Sequence, residues 1–241
     1  MTLWMLEPAH WHVYGDLMYS VKTGKTAWDN VHGEPVFDSL FGPMRDLGDL
    51  FNRAMTSYSL QTIPAILAAY DFSGFETIAD IAGGYGHVLA AILKQYPSAN
   101  GILFDMPVVL DGAPAMLDSY GVKDRVELVT GDFTKSVPVV ADAYIVKHII
   151  HDWYDDKCRT ILGNIRAVMP DNAKLLIVDA IVPPPGEPHF SKFLDLEMLM
   201  LPGGKERTED EFRELLGTSG FTMSRVIPTQ SNVHIIEAVK A

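Results

Sequence analysis

The sequence has one cysteine, Cys158, in 241 residues, which excludes an internal disulfide and fits a reducing compartment. It has no run of basic residues either: acids outnumber bases 31 to 19, for a net charge of −12. Gripping a phosphate backbone needs clustered lysine and arginine, so nucleic acid is not an expected partner. No stretch approaches the roughly 18 apolar residues of a membrane span. The start, Met1-Thr-Leu-Trp-Met-Leu-Glu-Pro8, carries no basic segment ahead of an apolar one. Repeats and low-complexity segments are also lacking. What is present is 48% hydrophobic, enough for a packed core. The expectation is a soluble, acidic, cytoplasmic protein with neither a membrane nor a nucleic acid as partner.

The stretch that organises the chain is 77–87, Thr-Ile-Ala-Asp-Ile-Ala-Gly-Gly-Tyr-Gly-His. A short apolar run ends in Gly83, Gly84 and Gly86, and Val88, Leu89, Ile92 and Leu93 follow at helical spacing. Strand, glycine turn and helix form the opening unit of a doubly wound α/β domain, where a ligand meets backbone N–H groups and a helix N-terminus. The dinucleotide pattern G-x-G-x-x-G is not met, because Leu89 stands where the third glycine belongs. Asp80, immediately before the turn, disfavours a pyrophosphate and suits a positively charged ligand. A second apolar run ends at Asp105, well placed to accept from ribose hydroxyls. A nucleoside with a cation and no phosphate describes S-adenosylmethionine. The alternative is a glycine turn that only permits tight strand–helix packing.

Residues 1–75 read as helices with irregular joints. Pro8 opens one that carries Trp11, Tyr14, Leu17 and Met18 inward; Gly24 and the Gly33-Glu-Pro35 turn interrupt. Phe37, Leu40 and Phe41 form an apolar patch. Leu47 to Met55 and Ile63 to Tyr70 give two further helices. From Glu76 strands and helices alternate, with strands expected at 77–81, 101–105, 126–129, 142–148, 174–179, 221–228 and 232–239. The fold class is therefore α/β: a doubly wound, mostly parallel seven-stranded sheet with an antiparallel last strand, after a helical N-terminal segment. The helix over 155–169 has a continuous apolar stripe, and Thr208 with Glu211 makes a capping box for a helix over 209–218.

Several residues at predicted strand ends suit chemistry. Asp132 could accept from an adenine amino group while Phe133 packs on the ring; the alternative is a simple Gly-Asp turn. His151 follows the 142–148 strand, and imidazole is suited to taking a proton near neutral pH. His148 is assigned a structural role. A metal held by His148, His151 and Asp152 is disfavoured, because residues three apart at a strand end point oppositely. Asp179, ending the 174–179 strand, or Glu206, after Gly203-Gly204, could orient His151; the alternatives are a surface carboxylate and a helix N-terminal charge. Among the methionines, Met55, Met198 and Met200 flank this region and could clamp a flat aromatic acceptor. Leu194, Met198 and Leu201 are equally consistent with plain core.

These motifs occur in order: Asp80-Ile-Ala-Gly-Gly-Tyr-Gly86, Phe104-Asp-Met-Pro107, Gly131-Asp-Phe133, Lys147-x-x-x-His151-Asp-Trp153 and Gly203-Gly-Lys-Glu-Arg-Thr208. The chain resembles the S-adenosylmethionine-dependent O-methyltransferases of the plant caffeate/flavonoid type and their bacterial secondary-metabolite relatives, from about Leu17 to its end. The resemblance implies a Rossmann-like methyltransferase fold, with 1–75 covering the acceptor pocket and 76–241 binding the cofactor. It implies His151 as general base flanked by Asp179 and Glu206, and no metal. Cofactor contacts are implied from the 82–86 loop (Ala82, Gly83, Gly84), Asp105, Met106, Asp132, Phe133 and Lys147, joining Asp80, read from its place before the turn, and an acceptor pocket lined by the Phe51–Met55 segment, to which Met198 is a further candidate. The implied acceptor is a hydroxyl on a small aromatic molecule, phenolic or polyketide-like.

Three features depart from the family pattern. Ala82 replaces the first loop glycine, so a tighter approach to the cofactor is expected. Asp179 replaces a glutamate and is expected to reach His151 only through water. Family members usually begin with a winged-helix dimerisation domain, and this chain starts after it. The apolar start (Leu3, Trp4, Met5, Leu6, Trp11) is then expected to be exposed or to form another interface, which leaves a homodimer open. Fold does not fix function. The alternatives are a cofactor-binding relative with changed chemistry (N-methylation, hydroxylation or decarboxylation) and a non-catalytic binding module.

Overall fold

The computed structural model describes residues 1–241. Its first part is helical: α1 (Thr2–Met5), α2 (Pro8–Gly15), α3 (Leu17–Thr23), α4 (Ala27–His32), α5 (Val36–Phe41) and α6 (Arg45–Ala69). Gly24 and Gly33 end α3 and α4 in the left-handed conformation. Then follow β1 (Thr77–Ile81), α7 (His87–Gln95), β2 (Asn100–Asp105), α8 (Pro107–Leu110), α9 (Ala113–Tyr120), β3 (Val126–Thr130) and β4 (Ala143–Lys147). A 3₁₀ turn at Ile150–Asp152 leads into α10 (Asp155–Val168) and β5 (Lys174–Asp179). Last come α11 (Ser191–Met200), α12 (Glu209–Thr218), β6 (Phe221–Pro228) and β7 (His234–Lys240). No helix is long and apolar enough to cross a membrane.

The seven strands form one sheet in the order β3-β2-β1-β4-β5-β7-β6. The five strands β1 to β5 pair in parallel, and β7 lies antiparallel between β5 and β6. Strand order reverses at β1, so a crevice opens beyond the carboxyl ends of β1 and β4, where such sheets take their ligands. The near-continuous apolar runs of the central strands follow from burial on both faces. One core packs α10 and α12 against the sheet through Ile161, Leu162, Phe212 and Leu216; the opposite core packs α6, α7 and α9 through Ile66, Leu89, Leu93 and Leu117. The N-terminal helices have their own core, with Trp4, Val13, Trp28 and Leu40 closed by Met200 and Leu201.

Four expectations are corrected here. The two helices over 47–55 and 63–70 are one helix, α6, that runs through Pro64. Its inward face (Ala54, Ile63, Ile66) is buried against two cores, and that packing outweighs the backbone bond lost at the proline. In α2 the inward residues are His10 and Val13, while Trp11, and Met18 on α3, are exposed. Trp4, in the segment expected to be exposed, is buried and stacks on His10 at 4.8 Å; Leu3 and Leu6 are exposed. Finally β4 stops at Lys147, because His148 turns to φ +53 and leaves the strand.

Candidate functional site

The glycine turn after β1 crosses directly over the buried Asp80. A Cβ added to Gly83 would fall 2.5 Å from the Asp80 Cγ and 2.6 Å from Leu103 Cδ1, so only glycine fits. Ala82 sits at φ +55, a left-handed conformation that costs an L-residue about 1 kcal/mol. At the end of β2, Asp105 accepts from the Gly84 amide at 2.8 Å and the Met106 amide at 2.7 Å. Burial pushes Asp105 up to about 6 against those two bonds. Burial likewise pushes Asp80 up to about 7 in spite of the nearby Lys147, and Asp80 Oδ2 has no hydrogen-bond partner. Lys147, ending β4, is pulled down to about 8 by burial against the attraction of Asp80 and Asp179; its Nζ donates to Ser59 Oγ at 3.0 Å.

This donor set fits a nucleoside carrying positive charge. Asp80 has an orphaned buried oxygen to offer a cation, Asp105 ends β2 beside the turn with each oxygen accepting one backbone amide, and two buried acids beside the turn disfavour a phosphate. Asp132 is less committed, because its Oδ1 already accepts from the Thr134 amide at 2.9 Å and hydroxyl at 2.6 Å, as the simple-turn alternative describes. Phe133 meets Trp153 edge-on at 6.4 Å.

The Asp80 carboxyl has a measurable consequence. A group raised from 3.8 to about 7 on folding favours the folded state most below about pH 4 and loses that contribution as pH rises through about 7. Asp80→Asn is therefore expected to stabilise the ligand-free chain at about pH 8, to do so much less at about pH 5, and to weaken cofactor binding. Thermal unfolding at both pH values, with calorimetric titration, checks this; equal shifts at the two pH values contradict it.

Beyond β4, the turn at Ile150–Asp152 carries His151, which is 6% exposed. Its Nδ1 donates to Glu206 Oε1 at 2.7 Å, while Asp179 Oδ1 stands 3.8 Å away, beyond a direct bond. Nε2 lies 3.5 Å from Asp152 Oδ1 and makes no hydrogen bond as short as the one on Nδ1. Burial works to lower the basicity of His151, but Glu206, Asp179 and Asp152 outweigh it and push it up to about 10. Burial raises Asp179 and Asp152 in turn.

The expectation that His148 and His151 diverge is corrected. The left-handed turn at His148 stacks the two rings at 5.0 Å with an interplanar angle of 27°. Donor atoms of His148, His151 and Asp179 all lie within 4.8 Å of one another, so the strand-end argument against a metal does not hold. The short bond to Glu206 instead ties His151 Nδ1 to proton chemistry.

Glu206 is delivered by a loop whose fit depends on glycine. A Cβ on Gly204 would stand 2.0 Å from the His151 carbonyl oxygen. The Lys205 amide donates to that carbonyl at 2.9 Å, and the Gly203 and Gly204 amides donate to the Met198 carbonyl at 3.0 and 3.1 Å. Arg207 is fully buried and donates to the carbonyls of Ile150 and Trp153, both at 2.9 Å, and to Asp155 at 2.7 Å. Sequence reasoning places Arg207 only within the Gly203–Thr208 motif and gives it no role.

Around this centre runs an aromatic wall. Phe51 meets Trp4 at 5.2 Å and Phe37 at 6.3 Å, and Phe37 meets Trp153 at 5.9 Å. Met55 packs on the same helical core, and Met198 is buried on α11. The adjacent Glu197 is bonded by His10 at 2.6 Å and by the Tyr14 hydroxyl, which fastens α2 to α11. A cleft of about 620 Å³ opens beside Trp153 between Tyr19, Thr26, Tyr154 and Pro202.

Comparison with known proteins follows the same lines. Residues 14–222 match the O-methyltransferase domain family. The chain is 44% identical over 228 residues to a phenazine O-methyltransferase of Lysobacter antibioticus, covering 95% of this chain and 67% of that one. Its structure is similar to that of a mitomycin 7-O-methyltransferase, with TM-score 0.93 and 38% identity over 99% of this chain and 70% of the other. It is also similar to an N,N-8-amino-8-demethyl-D-riboflavin dimethyltransferase of Streptomyces davawensis, with TM-score 0.85 and 36% identity over 99% and 71%.

Proposed function

The chain belongs to the family of S-adenosylmethionine-dependent O-methyltransferases, and on that premise we infer that it methylates a hydroxyl of a small aromatic acceptor with His151 as general base. The observation that carries this reading is the buried His151 imidazole, tied at Nδ1 to Glu206 at 2.7 Å. That bond fixes the tautomer, leaving Nε2 to take a proton.

When bound, S-adenosylmethionine supplies a methyl group already activated on a sulfonium. Asp80, Asp105, Lys147 and the amides of the 82–86 turn would hold it, with Met106, Asp132 and Phe133 at the nucleoside end. The protein's remaining work is positioning and proton removal. A phenol has a pKa of about 10, so it is mostly un-ionised near neutrality and needs a base as it attacks. In its neutral form, which gains population as pH rises toward about 10, His151 accepts that proton at Nε2. Glu206 and Asp179 stabilise the resulting imidazolium, and the buried setting keeps water from competing. Phe51, Met55 and Met198, with the helical 1–75 segment, form the acceptor wall.

The test is incubation with S-adenosylmethionine and a panel of hydroxylated aromatic and heteroaromatic molecules, read by mass spectrometry. Expected is a product heavier by one methylene and methylated on oxygen; cofactor binding without methylated product from any of them overturns the reading. The similarity to a riboflavin-analogue N,N-dimethyltransferase favours an aromatic amine as the second reading. An amine attacks with its own lone pair before losing a proton, so methylation of nitrogen would tolerate loss of His151 far better than methylation of oxygen.

A further inference from the structure

His148 is the buried polar group near this centre for which the reaction above has no use. It sits at φ +53, a region uncommon for residues other than glycine, in which histidine, asparagine and aspartate are enriched. Its amide donates to the Val178 carbonyl at 3.1 Å, which fixes the bend against β5. The ring is held between Tyr58, at 4.9 Å and 25°, and His151, at 5.0 Å and 27°. Only 8% of the side chain is exposed, and neither nitrogen completes a hydrogen bond. A buried polar group left so requires an explanation.

The group it faces is in the same condition. Asp179 is fully buried and neither of its oxygens completes a hydrogen bond, yet Oδ1 lies 3.3 Å from His148 Nδ1 and 3.8 Å from His151 Nδ1. One carboxylate oxygen thus faces two stacked imidazoles. Hydrogen bonds of a catalytic assembly are often long or misaligned in unliganded structures and tighten in the working complex.

We propose that His148 is a positioning residue for the base: its Nδ1–H donates to Asp179 Oδ1 and holds that carboxylate as an anion beside His151. The inference rests on His151 being the base. The charged and titratable groups around His148 are Asp179 on β5, Glu206 on the loop before α12, Asp152 and His151 on the 3₁₀ turn, Lys147 on β4 and the Tyr58 phenol on α6. Burial, then the charges of Lys147 and His151, hold His148 well below the usual imidazole range. It is therefore a donor that stays neutral. A second cation at this place would compete with the imidazolium for Glu206 and Asp179; a neutral N–H supports the carboxylate without that competition.

His148→Phe keeps a ring between Tyr58 and His151 and removes the donor. His148→Asn returns an amide N–H near the Nδ1 position and tolerates the left-handed backbone. The measurements are kcat and KM as functions of pH, with S-adenosylhomocysteine affinity by calorimetry. The Phe variant is expected to lose about tenfold in kcat, with the rising limb of its pH profile moved to lower pH because Asp179 is then more readily neutralised. KM and S-adenosylhomocysteine affinity stay near wild type, and Asn restores both kcat and the limb. If Phe does not fold, His148→Gly, suited to the same φ, serves as the donor-less variant. An unmoved pH profile in the donor-less variant, or an Asn variant as slow as it, overturns the proposal. Wild-type turnover that persists without His151 instead overturns the base assignment itself, and this inference with it.

Discussion

Exchange of His151 for glutamine is expected to lower O-methyl transfer by about 10²–10⁴-fold, the usual contribution of a positioned general base. Affinity for S-adenosylhomocysteine should stay near wild type, since Asp80, Asp105 and the glycine turn lie on other strand ends. The pH profile makes the assignment sharper. Only neutral His151 accepts a proton, and the surrounding carboxylates push it up to about 10. In the free enzyme kcat/KM is therefore expected to climb with pH well past neutrality. Glu206→Gln removes the largest of the opposing charges, so the limb should move down toward the ordinary imidazole value while the plateau falls, the imidazolium having lost its bonded carboxylate.

Stability runs the other way. An imidazole raised from 6.5 to about 10 on folding contributes its stabilisation fully below about pH 6.5, and loses it as pH rises through about 10. The pH of fastest turnover and that of greatest stability should accordingly separate, the first alkaline and the second acid to it. A glutamine variant that turns over at the wild-type rate, or a wild-type profile flat from neutrality upward, would remove His151 from the mechanism.

The sheet was legible because its signals are local and repeated. Each parallel strand is a short apolar run bounded by turn residues, and the 77–87 stretch announces strand, glycine turn and helix within eleven residues. The capping box at Thr208 and Glu211 is present as read. What escaped depends on contacts distant in sequence. Pro64 reads as a helix stop, yet burial of one face of α6 carries the helix through it. Trp11 and Val13 are both apolar; which of them turns inward is decided by the His10–Glu197 bond to α11, 187 positions away.

The site shows the same division. Residue types at strand ends pointed to Asp80, Asp105 and His151, because parallel strands bring all carboxyl ends to one edge, and the resemblance added Lys147. Period-two reasoning failed at His148, where the backbone leaves the strand for a left-handed turn that no local signal marks. Arg207 was given no role for a related reason: an arginine one position after a loop glutamate looks solvated until the carbonyls it satisfies are seen.

Those carbonyls make Arg207 the residue whose loss should cost the most stability. Its guanidinium bonds Ile150 and Trp153, on either side of His151, and reaches Asp155 at the start of α10. Its own backbone carbonyl accepts from the Val182 amide at 2.9 Å, beyond β5. It therefore clamps the turn carrying His151 to the loop carrying Glu206. Arg207→Met removes the strongest donor from two buried carbonyls and the partner of the half-exposed Asp155, at an expected cost of about 1–3 kcal/mol, or roughly 5 °C in melting temperature. Arg207→Lys keeps the charge, but a single ammonium lacks the planar fork that reaches both carbonyls and Asp155, so part of the loss remains. In the lysine variant kcat should fall more than KM rises, because the His151–Glu206 pair loses its register while the glycine turn is untouched. Denaturant unfolding and steady-state kinetics on the same preparation check both statements. A lysine variant with wild-type kcat and wild-type stability would show that Gly204 and the Lys205 amide hold the two segments together without the guanidinium.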